Sequence, residues 1–254
     1  MNVFALEFPE ISHILVWPDI LPSFNKVALI GVAAVLATVL IFFIAGRRDP
    51  LKPPKGVRNL AESSVDFIET DIVMQTIGRD GLGWTPFLIS IFFFVFFCNI
   101  TEILPTVQMP ATARMAIPIT MALVVWLVYN AVGVKHQGFF RYLKNSCFPP
   151  GVPKALYILV APIEFVSTFI VRPFSLAIRL FANMLAGHLL LVTFAILTDA
   201  LITANTAFLK VIFVLPLFML IFLTAFEILV SVLQAYIFTI LTAVYIGGAA
   251  HPEH

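Results

Sequence analysis

The amino-acid sequence predicts an all-α polytopic membrane protein. It has about five membrane-crossing helices and an interfacial amphipathic helix, and its last two helices form a long, strongly tilted hairpin. Three observations lead there. Hydrophobic residues make up 61% of the 254 residues and charged residues 11%, against about 45–50% and about 25% in soluble domains, and the mean hydropathy is +1.02. The apolar residues gather in runs with few or no charges. The two C-terminal runs are each about twice as long as a bilayer core requires. A soluble domain of this composition would expose large apolar patches, and a disordered chain would be polar and charge-rich. A formal net charge of +1 gives no electrostatic reason to bind nucleic acid.

A helix needs about 20 apolar residues to cross the hydrocarbon core. Residues 27–45 carry no charge and are flanked by Lys26 and by Gly46, Arg47 and Arg48. Residues 57–79 are mixed, with apolar Leu60, Val65, Phe67, Ile68, Ile72 and Met74, and predict a helix along the interface; a soluble connecting helix is the plain alternative. Residues 84–104 form the second span, ending in Asn99, Glu102 and Pro105. Residues 113–134 form the third, with Arg114 at one end and Trp126 and Tyr129 toward the other. Segments 155–198 and 206–249 are apolar except for Glu164, Arg172, Arg179, Lys210 and Glu227. At about 1.5 Å per residue each would extend about 65 Å. No turn cluster interrupts either, so a hairpin turning through 198–206 is expected, with Pro173 and Pro216 as kinks.

Lysine and arginine in short loops set the orientation. Arg47, Arg48, Lys52, Lys55 and Arg58 follow the first span, and Lys135, Arg141, Lys144 and Lys154 follow the third, whereas 105–112 and 198–206 carry none. The N-terminus is therefore expected outside and the C-terminus in the cytoplasm. The opening residues are acidic and contain proline, which predicts neither a signal peptide nor a transit peptide. Cys98 and Cys147 are read as free thiols.

A charge at mid-membrane costs about 2.5–3.5 kcal/mol on insertion scales, so the ionisable residues in the spans are functional candidates. Arg172, Ser175, Arg179 and Asn183 share one helix face, and Glu227, Ser231 and Gln234 share another. Folding the hairpin about residue 202 sets the region near 225 opposite Arg179, so the two stripes are expected to meet. The plain reading is a structural Arg179–Glu227 ion pair. His188 lies roughly 140° from the arginine face and is expected to share a cavity with Glu227, where a histidine–carboxylate pair suits proton relay. As a metal site that pair is disfavoured. Ala177, Ala182, Ala186 and Gly187 allow close helix approach.

Three segments carry a resemblance. RPFSLAIRLFANMLAGHLLL (172–191), FEILVSVLQAYIFTILTAVY (226–245) and FFCNITEILP (96–105) are similar to subunit a of F-type ATP synthases, and the likeness covers the chain from about residue 84 onward. The resemblance implies a stationary proton path beside a rotating ring of c subunits. The family's essential arginine falls on Arg179, its asparagine on Asn183, its glutamine on Gln234 and its C-terminal tyrosine on Tyr245. Asn99 and Glu102 match its polar pair. His188 and Glu227 exchange the acid and imidazole of many bacterial members, as in mitochondrial-type ones. Glu164 matches a cytoplasmic-side carboxylate, with a spacing to Arg179 one residue longer than usual. Implied partners are the c ring, b-type subunits of a peripheral stalk, membrane lipid and transported protons, with no cofactor and no metal. No phosphate-binding loop is present, so nucleotide chemistry is expected in other subunits, and the chain is not an enzyme on its own. The implied location is a bacterial plasma membrane, with the mitochondrial inner membrane as the alternative. A secondary transporter would show internal repeats, which the two halves lack; a channel or structural subunit would not require a mid-membrane arginine facing a partner.

Overall fold

The computed structural model describes residues 26–47, 55–104, 110–148, 153, 156–204 and 207–250. The N-terminal stretch, the C-terminal tail and parts of the loops used to read orientation lie outside the described residues. Five helices are long and apolar enough to cross a membrane: Lys26–Gly46, Arg79–Ile100, Ala116–Gln137, Tyr157–Thr203 and Phe208–Ala250. We call them α1, α3, α4, α6 and α7. Two shorter helices, α2 (Val57–Phe67) and α5 (Phe139–Cys147), pack at the α1–α3 and α4–α6 connections. No strand occurs among the described residues.

Local chemistry explains where the helices stop. Arg79–Trp84 is a 3-10 lead-in, and Pro86 stands in the first α-helical turn of Thr85–Ile100, where its missing N–H costs nothing. The expected 84–104 span ends four residues early as an α-helix. Glu102 N–H donates to the Asn99 carbonyl at 3.1 Å and Ile103 N–H to the Ile100 carbonyl at 3.1 Å, a tightened turn consistent with Pro105 disfavouring helical geometry just before it. Gly138, at φ 81°, ends α4 and lets α5 start at once, its N–H capping the Val134 carbonyl at 2.8 Å.

The two prolines mark bends in the hairpin. A proline ring clashes with the carbonyl four residues earlier. Ahead of Pro173 the backbone widens into a π-helical stretch, Ser167–Val171. Ahead of Pro216 the helix breaks between Ile212 and Val214. The 47- and 43-residue helices are therefore bent arms of a hairpin.

The core lies among α3, α4, α6 and α7, where Val95, Val125, Tyr129, Leu180, Ala235 and Phe238 are buried together. Segment 57–79 is α2, a π-helical stretch Ile68–Val73 and a last turn Met74–Thr76. It does more than lie along a surface. Ile68, Ile72 and Val73 are wholly buried with Leu88, Phe93 and Ala243, wedged between α3 and α7, while Leu60, Phe67 and Met74 stay exposed.

Polar bonds lock the end of the bundle where α4 meets α5. Gln137 Nε2 donates to the Ala249 carbonyl at 2.8 Å and Asn145 Nδ2 to Gln137 Oε1 at 2.9 Å, tying α4, α5 and α7. Tyr129 Oη donates at 2.7 Å to the carbonyl of Thr168, inside the π-helical stretch of α6. Tyr129→Phe should leave that buried carbonyl without its donor. The expected cost is about 1–2 kcal/mol, measurable as earlier unfolding in a detergent titration, with unchanged stability as the contrary result.

Candidate functional site

A cluster of polar side chains is buried inside this apolar bundle. Asn99 ends α3, Glu102 sits in the tightened turn after it, and Thr112 comes from a 3-10 turn, Ala111–Ala113, before α4. His188 is on α6, and Glu227, Ser231 and Gln234 lie on one face of α7. Each is less than one-tenth exposed. Thr112 Oγ1 donates to Asn99 Oδ1 at 2.5 Å. His188 Nδ1 is 3.6 Å from Glu102 Oε1, an ion-pair distance just beyond hydrogen-bond range. Glu227 and Glu102 are near enough to interact electrostatically. Asn99 Nδ2, both Glu102 oxygens, Glu227 Oε2 and Ser231 Oγ have no hydrogen-bond partner among the described residues.

His188 and Glu227 lie in one buried cluster, and the carboxylate at ion-pair distance from His188 is Glu102. Glu227 packs instead against Gly187, where a Cβ would run into the carboxylate. That contact fixes the hairpin register, and it differs from a fold about residue 202. Eight residues before Gly187 lies Arg179, and eight after Glu227 lies Ala235, so in an antiparallel pair Gln234 and Ala235, not the region near 225, are level with Arg179. Ala177 and Leu180 share the core with Ala235 and Phe238, in keeping with that register.

The two polar stripes do not meet. Glu227, Ser231 and Gln234 point into the bundle, whereas Ser175, Arg179 and Asn183 are exposed on its outer surface, with Ala182 and Ala186 beside them. Arg179 makes no ion pair with Glu227. Arg172 leaves the stripe and lies over the Tyr245 ring, 5.5 Å from its centroid, and that ring is 5.7 Å from the ring of Tyr129. Glu164 is half-buried on α6, apart from the cluster and beside Cys147 of α5. Thr112 is the cluster member the sequence did not offer. It lies in a connection, where no periodicity marks a face, and its only signal is a threonine ten residues past Glu102.

The α7 face of Glu227, Ser231 and Gln234 forms a column about 10 Å long. It runs from the Glu102–His188 contact toward the level of Arg179. An all-α bundle with ionisable side chains buried between apolar helices is the architecture of a membrane protein that handles ions within the bilayer. The family described as ATP synthase A chain matches residues 27–247. ATP synthase subunit a of Frankia alni is 45% identical over 232 residues, covering 91% of this chain and 79% of that protein. ATP synthase subunit a of Rhodococcus erythropolis is 42% identical over 222 residues, covering 86% and 81%. That of Granulibacter bethesdensis is 37% identical over 229 residues, covering 89% and 87%. The chain belongs to the ATP synthase subunit a family.

Two outcomes follow from this geometry. Gly187→Ala should push a methyl group into the Glu227 carboxylate. ATP-driven proton pumping by the assembled complex should then fall about tenfold to a hundredfold, as expected for a displacement of about 1 Å at a reacting group, and Gly187→Ala with Glu227→Asp should recover part of it; full activity of the single variant would contradict the contact. Burial and the neighbouring Glu164 carboxylate both push the Cys147 thiol up from its ordinary range. Glu164→Gln removes one of these effects, so maleimide labelling of Cys147 should begin at lower pH; coincident labelling profiles would separate the two side chains.

Proposed function

We propose that the chain is the stationary proton-path subunit of an ATP synthase membrane sector. It would pass protons to and from the carboxylates of a rotating c ring, coupling the proton motive force to rotation and ATP synthesis. The observation that carries this reading is the buried column from Glu102 and His188 through Glu227 and Ser231 to Gln234, which ends level with an arginine exposed on the outer surface of the bundle. Buried polar atoms without protein partners are ordinarily satisfied by water, which suits one aqueous half-channel. Asn99, Glu102, His188, Glu227, Asn183 and Gln234 belong to it, opening to the outside in the orientation with the C-terminus in the cytoplasm. Gln234 ends the column at the level of Arg179. Glu164, at the other end of α6 with Arg172 and Tyr245, belongs to the cytoplasmic half-channel. The bent hairpin lies tilted against the ring. Ala182 and Ala186 allow close approach of a ring helix. The b-type subunits of the peripheral stalk and membrane lipid cover other faces.

Energetics make a lone arginine sufficient. Burial in lipid raises a carboxyl pKa by up to about 3–5 units, so each ring acid is neutral there. A charge pair at about 4 Å is worth about 4 kcal/mol at an effective dielectric of about 20, or about three units. Near Arg179 the two effects nearly cancel, and the acid loads and unloads reversibly. A guanidinium stays protonated, so it repels protons moving directly between the half-channels and makes them travel with the ring. A membrane potential supplies about 2.3 kcal/mol per charge per 100 mV.

Arg179→Ala should abolish ATP-driven proton pumping in inverted membrane vesicles while the complex still assembles. Arg179→Lys should fail as well, because a desolvated lysine loses its proton. Normal pumping by the alanine variant would refute the gate, and full activity of the lysine variant would reduce it to a point charge.

A further inference from the structure

The 47-residue arm α6 changes phase at its π-helical stretch, Ser167–Val171. Ser175, Arg179 and Ala186 follow Thr168 by 7, 11 and 18 residues. In an unbroken α-helix, at about 100° per residue, all three would stand within about 20° of it. Thr168 would then share a face with the arginine stripe. Instead Thr168 is 4% exposed and buried in the bundle, while Ser175, Arg179 and Ala186 lie on the outer surface. Beyond the stretch the buried side belongs to Leu176, Leu180, Met184 and Gly187, which an unbroken helix would turn about 80–160° away from Thr168. A π-helical turn takes in one residue more than an α-helical one, and one residue turns the helix by about 100°. That brings the two buried sides into line.

Two residues hold the stretch open. Arg172 N–H donates to the Ser167 carbonyl, five residues back. The next donor along would be Pro173, which has no N–H. The Thr168 carbonyl is thus passed over by both and takes its hydrogen bond from Tyr129 Oη of α4, at 2.7 Å. In a regular α-helix Arg172 N–H would serve Thr168, and Tyr129 would be redundant. The half before the stretch is the less firmly held. Tyr157–Val166 has no buried residue, whereas seven residues of Arg172–Thr203 are buried. We propose that Ser167–Val171 is a phase shifter, which lets one helix set Glu164 beside α5 and Arg179 on the outer surface, and that Tyr129 is the positioning residue that maintains it. The consequence for proton transfer rests on the place given to Glu164 above; the phase shift does not.

The test uses the assembled complex in its membrane, in two series. For phase, Glu164→Cys is cross-linked to the native Cys147 with a short bis-maleimide. For function, ATP-driven proton pumping is measured with Glu164 in place. Tyr129→Phe with Pro173→Ala removes both supports, so the stretch should close to an α-helix and swing position 164 by about 100°. Cross-linking should then fall severalfold. Pumping should fall about tenfold to a hundredfold, the cost of misplacing a reacting group by an ångström or more. Ile170 is an exposed residue of the stretch. Deleting it from the double variant should restore both readouts to near their starting levels, because the shortened α-helix regains the phase without a π turn. A general loss of stability would instead deepen with the deletion. Cross-linking that ignores the double substitution, or that the deletion fails to restore, would overturn the proposal. Cross-linking that follows the helix phase while pumping stays constant would uphold the phase shift and remove Glu164 from the proton path.

Discussion

In a hydrocarbon slab a carboxylate with no partner costs several kcal/mol, and this bundle buries two, Glu102 and Glu227, close enough to feel each other. His188, 3.6 Å from Glu102, is the ion-pairing partner that the bundle sets beside one of them. Several backbone features serve it. α3 gives up its α-helical geometry after Ile100, and the tight turn that follows sets Glu102 among the helices. The Ala111–Ala113 turn closes over the end and supplies Thr112 to Asn99. Gly187 lets the Glu227 carboxylate lie against the α6 backbone, where any side chain would exclude it.

The same register separates two populations of polar residues on the hairpin. With Gly187 against Glu227, the acidic face of α7 turns inward and the face of α6 that bears Ser175, Arg179 and Asn183 turns outward. An internal Arg179–Glu227 pair would have made the arginine a structural counter-charge. Its exposure on an apolar surface instead leaves a permanent cation, without an ion pair among the described residues, open to an anionic partner. The bends at Ser167–Val171 and before Val214 shape the surface on which that partner would ride.

Much of the fold was legible because it follows from length and charge. Runs of uncharged residues gave five spans, and Pro173 and Pro216 foretold where the long arms bend. Less legible was whatever depends on phase and register. The π-helical stretch at Ile68–Val73 is invisible to a pattern that assumes 3.6 residues per turn, so the wedge that its buried side drives between α3 and α7 was not legible in the spacing. A fold about residue 202 misses the true register by a few residues, and that is enough to move Glu227 from the level of Arg179 to that of Gly187 and His188. Within the site, residues on regular helix faces stood out by spacing, whereas Thr112 came from a loop and did not.

The most direct measurement is the distance, in a map of the assembled complex, from the Arg179 guanidinium to the nearest carboxylate of the rotating ring. A separation within about 4–6 Å, the range over which an opposite charge governs a carboxyl group, is the expected result. A guanidinium turned inward onto α7, with the ring carboxylates well beyond that range, would contradict it.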